Sequence, residues 1–195
     1  PQDTLKRTLF PLGEYTKEDV RNIARNHNLE TAETPESMEI CFVADNNYKR
    51  FLKDFVPQEI EAIGEGEIIE ESGEIVGTHS GYTNYTIGQR KGLGLSNPEP
   101  RYVSKIDPDS NRIFIGKKES LYDVSCRVVN TNWLNGDIIF PIQVNAQIRY
   151  NSREIPATIT QIDNILQVDF DSPQMSVTPG QSIVFYRDDI VIGGG

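Results

Sequence analysis

The chain has 195 residues, room for one large domain or two modest ones at roughly 100–200 residues each. Hydrophobic residues make up 37% and charged ones 25%, with 15 Gly and 11 Pro, which excludes a disordered or collagen-like chain. Nineteen Lys+Arg stand against 29 Asp+Glu, a net charge of −10, so no basic nucleic-acid footprint exists at whole-chain level and any RNA contact needs a local positive patch. No run of 18 apolar residues occurs, so no membrane-spanning helix is expected. The first residues, PQDTLKRTLFPLGE, lack both an initiator Met and the basic-then-apolar pattern of a signal peptide, so a cytoplasmic fragment or processed chain is expected. Two cysteines cannot build a disulfide scaffold or a closed zinc site, and two histidines leave little room for a His-based one. No metal is expected.

In chain order, residues 1–43 read as helical at their centre. Thr16 followed by Asp19 resembles a capping box. Val20, Ile23, Ala24 and His27 follow at helical spacing; Leu12 serves as a hydrophobic staple and Asn28 closes the helix. A Pro/Ser loop leads to a short apolar run at 40–43. Residues 44–123 form the second region. Tyr48, Phe51, Leu52 and Phe55 predict a second helix, ended by Pro57. The helical period then disappears. Two hairpins are expected, turning at Glu71-Ser72-Gly73 and at residues 107–111. Residues 124–195 read as all-β. Strands are predicted at 126–132, 142–150, 154–162, 165–170, 182–186 and 190–192, with a tight turn at Asp163-Asn164. Six short strands in so few residues avoid exposed edges by closing into a small barrel.

Several residues could carry chemistry. Cys41, between Ile40 and Phe42, reads either as a buried thiol or as a reactive one at a loop-to-strand edge. Cys126 alternates with Val124 and Val128 and reads as core. Gln89-Arg90-Lys91-Gly92-Leu93-Gly94 sets two cations among glycines, which suits phosphate contact. It is neither a Walker A loop nor a dinucleotide fingerprint; otherwise it is a flexible hairpin tip. Arg149-Tyr150, with Arg153, pairs a cation with an aromatic, able to pin a phosphate and stack on a base. The plainer alternative is a strand-end charge with Tyr150 in the core. Gln181 follows the Thr178-Pro179-Gly180 turn. Trp133, Tyr82, Tyr85 and Tyr102 serve a β core better than base stacking, and His79 reads as structural. Between Glu59 and Glu74 stand seven Glu and no cation, a solvated face.

Taken together, these stretches resemble one family. Leu9-Phe10-Pro11-Leu12-Gly13, Glu36-Ser37-Met38-Glu39-Ile40-Cys41-Phe42 and Tyr85-Thr86-Ile87-Gly88-Gln89-Arg90-Lys91-Gly92-Leu93-Gly94 are followed by Ile148-Arg149-Tyr150, by the run Val177-Thr178-Pro179-Gly180-Gln181-Ser182-Ile183-Val184-Phe185-Tyr186, and by the terminal Gly193-Gly194-Gly195. In order and spacing they are similar to the C-terminal portion of the tRNA-specific 2-thiouridylases, over essentially the whole chain. The resemblance implies an ATP-dependent sulfurtransferase that adenylates the wobble uridine and delivers persulfide sulfur to its 2-position. It implies that Cys41 carries the persulfide, resolved through a transient disulfide by a first cysteine in the nucleotide-binding domain. It implies tRNA contacts at Arg149, Tyr150 and Gln181; Arg90 and Lys91 join them as phosphate contacts on the argument of charge. Expected partners are tRNA and a sulfur-relay protein or cysteine desulfurase, with no membrane and no DNA. Residues 1–43 would be the end of the nucleotide-binding (PP-loop) domain, 44–123 a central β-rich domain and 124–195 the barrel: mainly β, with a short α-helical remnant in front. The family's phosphate loop and first cysteine are absent from these residues, so the isolated chain is expected to be inactive, with ATP bound elsewhere in the enzyme. The competing readings are a non-catalytic RNA-binding β module and a protein-interaction module acting through the acidic face.

Overall fold

A computed structural model describes residues 2–34, 43, 45, 47–95, 98–134, 136, 138–150 and 152–195. The predicted apolar run at 40–43 lies outside these residues except for Val43, and Cys41 lies outside them altogether. The chain divides into two compact units, Pro1–Phe51 and Leu52–Gly195.

In the first unit, a one-turn helix α1 (Gln2–Leu5) precedes α2 (Lys17–Asn26). The capping box forms as read. Thr16 Oγ1 accepts from the Asp19 amide at 3.2 Å, and an Asp19 carboxylate oxygen accepts from the Thr16 amide at 3.0 Å. The Thr16 hydroxyl, which donates to the Asp19 carboxylate at 2.6 Å, and then the Thr16 amide hold that carboxyl below the usual range. At the other end Asn28 takes a left-handed φ of 53°, and the Leu29 amide reaches back to the Ala24 carbonyl at 3.0 Å, which satisfies an orphan carbonyl of the last turn. Arg21 donates to the Ala32 and Thr34 carbonyls at 2.9 and 3.1 Å and so holds the chain that leads toward Cys41.

Helix α3 (Tyr48–Phe55) starts at Asn47, whose side chain accepts from the Arg50 amide at 3.0 Å. It ends before Pro57 as expected, but Pro57 also opens a further helix, α4 (Pro57–Ile63). The expected loss of helical period after Pro57 is therefore corrected. A proline is well suited to the first helical turn because its missing N–H has no partner there anyway, and Ile60 with Ile63 gives one half-buried stripe.

A four-stranded sheet follows: β1 (Gly66–Glu70), β2 (Ile75–His79), β3 (Tyr102–Asp107) and β4 (Arg112–Gly116), in the order β2-β1-β4-β3. Both expected hairpins are present, and β1 and β4 join them in parallel. Ile68, Leu93, Val103, Ile113 and Ile115 form its core, with Tyr82 and Tyr85 packed against it. His79 is structural, as read. It is buried, its Nδ1 accepts from the Gly81 amide at 3.1 Å, and burial lowers its pKa.

The second sheet is curled and has seven strands where six were expected: β5 (Tyr122–Val128), β6 (Asn132–Trp133), β7 (Ile142–Gln147), β8 (Ile155–Ile162), β9 (Ile165–Met175), β10 (Val184–Arg187) and β11 (Ile190–Gly194), ordered β5-β9-β8-β7-β10-β11-β6. The additional strand, β6, is two residues long, too short to show a period. Strand β9 runs five residues past its expected end, through Pro173. There β8 has stopped and only β5 pairs with it, so a proline can sit where one side needs no donor. Phe185, Ile159, Val168 and Ile192 fill the centre, and Trp133 stacks on Phe185 with ring centroids 5.6 Å apart. Cys126 packs against this core. Burial, then Asp123 and Asp169, push its thiol up to about 11, which keeps it protonated and unreactive at neutral pH.

Candidate nucleic-acid interface

Three segments of the Leu52–Gly195 unit bear the residues singled out from sequence. The first is the loop after Tyr85. Gln89 braces it from within: its side-chain oxygen accepts from the Thr86 amide at 3.1 Å and its Nε2 donates to the Lys91 carbonyl at 2.9 Å. The loop docks on β3 through two backbone bonds, Gly88 N to Val103 O at 2.8 Å and Val103 N to Gln89 O at 2.9 Å. It is therefore a built loop and not a loose tip. Arg90 and Lys91 are exposed on it and enter none of the ion pairs found among the described residues. Their neighbour Arg101 differs, since it is tied to Glu70 at 2.6 Å and Glu99 at 3.2 Å. Glu99 also meets Lys117 at 3.3 Å. The basic stretch thus divides into compensated cations and two that face outward.

The second segment joins β7 to β8. Strand β7 stops at Gln147, three residues before its expected end, and the Gln147 side-chain Nε2 donates to the Tyr150 and Ser152 carbonyls at 3.1 and 2.8 Å across the turn that follows. Ser152 closes the turn by donating to the Arg149 carbonyl at 2.9 Å. Tyr150 stands at its tip with 82% of its surface exposed, which removes the reading of Tyr150 as a core residue. The Arg149 guanidinium points inward, where Nη2 donates to the carbonyls of Met175 and of Ser176, the latter at 3.0 Å.

The third segment is the turn at 177–183. The Gln181 amide bonds the Thr178 carbonyl at 3.3 Å, and Gly180 supplies a φ of 84°. Gln181 is exposed on the wall of a groove of about 760 Å³ that runs along the free edge of β5, with Ile148, Val177 and Ile183 at its apolar base and Thr178 and Ser182 at its rim.

The structure brings these segments together through Ser176, which sequence reasoning did not single out. Arg149 bonds its carbonyl, and a Cβ placed on Gly88 would lie 2.9 Å from its Oγ. No sequence signal marked it: Ser176 adopts a left-handed φ of 55°, a conformation that a serine does not announce. Here Thr178 Oγ1 donates to the Ser176 carbonyl at 2.9 Å. Among the described residues no cluster of His, Cys, Asp or Glu could hold a metal ion, and no helix is long and apolar enough to cross a membrane.

One β-rich unit thus carries an exposed Arg90-Lys91 pair on a built loop, an exposed tyrosine and a groove with an apolar base. Family models sharpen this. Residues 1–45 match a tRNA methyl transferase HUP domain, 49–117 a tRNA methyl transferase PRC-barrel domain and 124–195 an aminomethyltransferase beta-barrel domain. The chain is 46% identical to the tRNA-specific 2-thiouridylase MnmA of Carboxydothermus hydrogenoformans, over 100% of this chain and 53% of that protein. It is 47% identical to the protein of that name from Natranaerobius thermophilus, over 100% and 52%, and 46% identical to that of Chlorobium phaeobacteroides strain BS1, over 99% and 54%. The chain belongs to the tRNA-specific 2-thiouridylase family, as a C-terminal portion, and spans about half the length of the curated relatives it matches.

Proposed function

We propose that these residues serve a cytoplasmic tRNA 2-thiouridylase as the bearer of its persulfide cysteine, Cys41, and of part of its tRNA-binding surface. The observation that carries the reading is the match, end to end and at 46%, to proteins of that name. In the enzyme so formed, ATP activates the 2-oxygen of the wobble uridine and a persulfide replaces it with sulfur. Residues 1–43 close the nucleotide-binding domain, 44–123 form the central domain, and 124–195 form a small barrel.

The described residues do not themselves fit ATP. In the Gly88–Gly94 loop, the amides of Gly88 and Gln89 are bonded to the Val103 and Thr86 carbonyls, so they cannot cradle phosphates, and no helix N-terminus follows. What this chain contributes is contact. Arg90 and Lys91 meet the tRNA backbone through charge, Tyr150 offers a ring for an unstacked base, and Arg149 and Gln181 add hydrogen bonds beside the groove. To load Cys41, its thiolate attacks the outer sulfur of a persulfide on a sulfur-relay protein or cysteine desulfurase; the donor's S–S bond breaks and its cysteine leaves as thiolate.

Incubation of the protein with a cysteine desulfurase and cysteine, followed by mass spectrometry, tests the central assignment. A single sulfur adduct of about 32 Da on Cys41, lost in Cys41→Ser, is expected. An adduct that never forms, or that persists in Cys41→Ser, removes the assignment and leaves an RNA-binding module. The 195-residue chain alone is expected to form no 2-thiouridine.

A further inference from the structure

The loop bearing Arg90 and Lys91 belongs to the four-stranded sheet, and the turn bearing Gln181 belongs to the seven-stranded one. They meet at Ser176. This residue is 6% exposed, and its backbone is held from three sides. Its amide donates to the Leu121 carbonyl at 2.6 Å, in the segment that joins the two sheets. Its carbonyl accepts from Arg149 and from Thr178 at 3.0 and 2.9 Å. Its hydroxyl lies against Gly88, where a Cβ would come within 2.9 Å. Gly88 is pinned in turn, with a φ of 87° and its amide bonded to Val103.

We propose that Ser176 is a positioning residue: with Gly88 and Arg149 it forms a bracket that fixes the spacing between the Arg90-Lys91 loop and the Gln181 turn, so that one RNA meets both as a single preformed surface. The physical need follows from charge. A body of net charge −10 repels RNA, and the Arg90-Lys91 pair offsets this best when the other contacts engage at the same moment. Contacts held rigidly in register act at high effective concentration, whereas contacts on independently moving loops lose that advantage to ordering entropy. The proposal rests on the reading of Arg90, Lys91 and Gln181 as RNA contacts.

The test uses the 195-residue chain, an unmodified tRNA transcript and two readouts, affinity and amide hydrogen exchange at residue 176. Gly88→Ala forces the Ser176 hydroxyl away and should weaken binding about tenfold, from lost effective concentration, while exchange at residue 176 quickens. Adding Ser176→Gly to that variant makes room and suits the left-handed φ, so most of the affinity and protection should return. Gly73→Ala controls for backbone strain, since Gly73 has the same φ of 87° with nothing within 4 Å of its would-be Cβ; both readouts should stay near those of the unaltered chain. Equal losses in Gly73→Ala and Gly88→Ala, or no recovery in the double variant, overturn the bracket. An unaltered chain that binds no tRNA overturns the RNA reading beneath it. A flat exchange pattern with tRNA binding intact overturns the bracket alone.

Discussion

Arg149 and Tyr150 are neighbours with opposite surroundings, and their variants should separate accordingly. Tyr150 is almost wholly exposed, so Tyr150→Ala should leave stability within about 0.5 kcal/mol while weakening tRNA binding by roughly 1–3 kcal/mol if a base stacks there. Arg149 bonds two backbone carbonyls. Arg149→Ala should lower both affinity and stability, the latter by about 1–3 kcal/mol for acceptors left unpaired, and Arg149→Lys should rescue poorly because one ammonium lacks the planar fork. Thermal unfolding and filter binding on the same samples check both. Cys126 yields a pH prediction. Its thiol is raised from 9 to about 11, so the stability it contributes is present below pH 9 and is lost as pH rises through the 9–11 window. Urea unfolding at pH 8 and pH 10.5 should show that decline, and Cys126→Ala should flatten it. Sequence reasoning read Cys126 as packed, since alternation along a strand reports burial, and it assigned Tyr82, Tyr85 and Trp133 to packing because a small β domain needs large side chains. It left open where Tyr150 pointed, because the strand ends early, at Gln147, and no periodicity records that.

Local stop and start signals were the most legible features of the elements. The Thr16–Asp19 box and Asn28 stand at the ends of α2 as read, because caps are chemistry between residues three or four apart. Thr16→Ala should cost about 1 kcal/mol of helix stability, measurable as reduced helical signal on mild heating. The missed elements share a cause. Helix α4 has seven residues and β6 has two, both too few for a repeat to emerge. The far end of β9 is a strand only because β5 lies beside it, which local sequence cannot state. The bracket at Ser176 was illegible for the same reason: it joins residues 88, 121, 149 and 176, distant in the chain and close only after both sheets form.

For the whole molecule, charge sets the expectation. With net charge −10, tRNA affinity should fall with rising salt, and Arg90→Ala with Lys91→Ala should reduce the slope by about two released counterions; a titration between about 50 and 200 mM salt reads this directly. A second consequence comes from the strand order β2-β1-β4-β3. Strands β2 and β3 are opposite edges, so residues 80–101 must cross the sheet's width, about 14 Å at the usual strand spacing. That crossing segment places Leu93 in the core while presenting Arg90 and Lys91 to solvent. Twenty-two residues could reach roughly 70 Å if extended, several times the distance to be crossed. The surplus length lets the segment fold back on the sheet, bury Leu93 and still lift Arg90 and Lys91 into solvent. Trimming a few residues from it should therefore leave the strand order intact while shifting where those two cations stand.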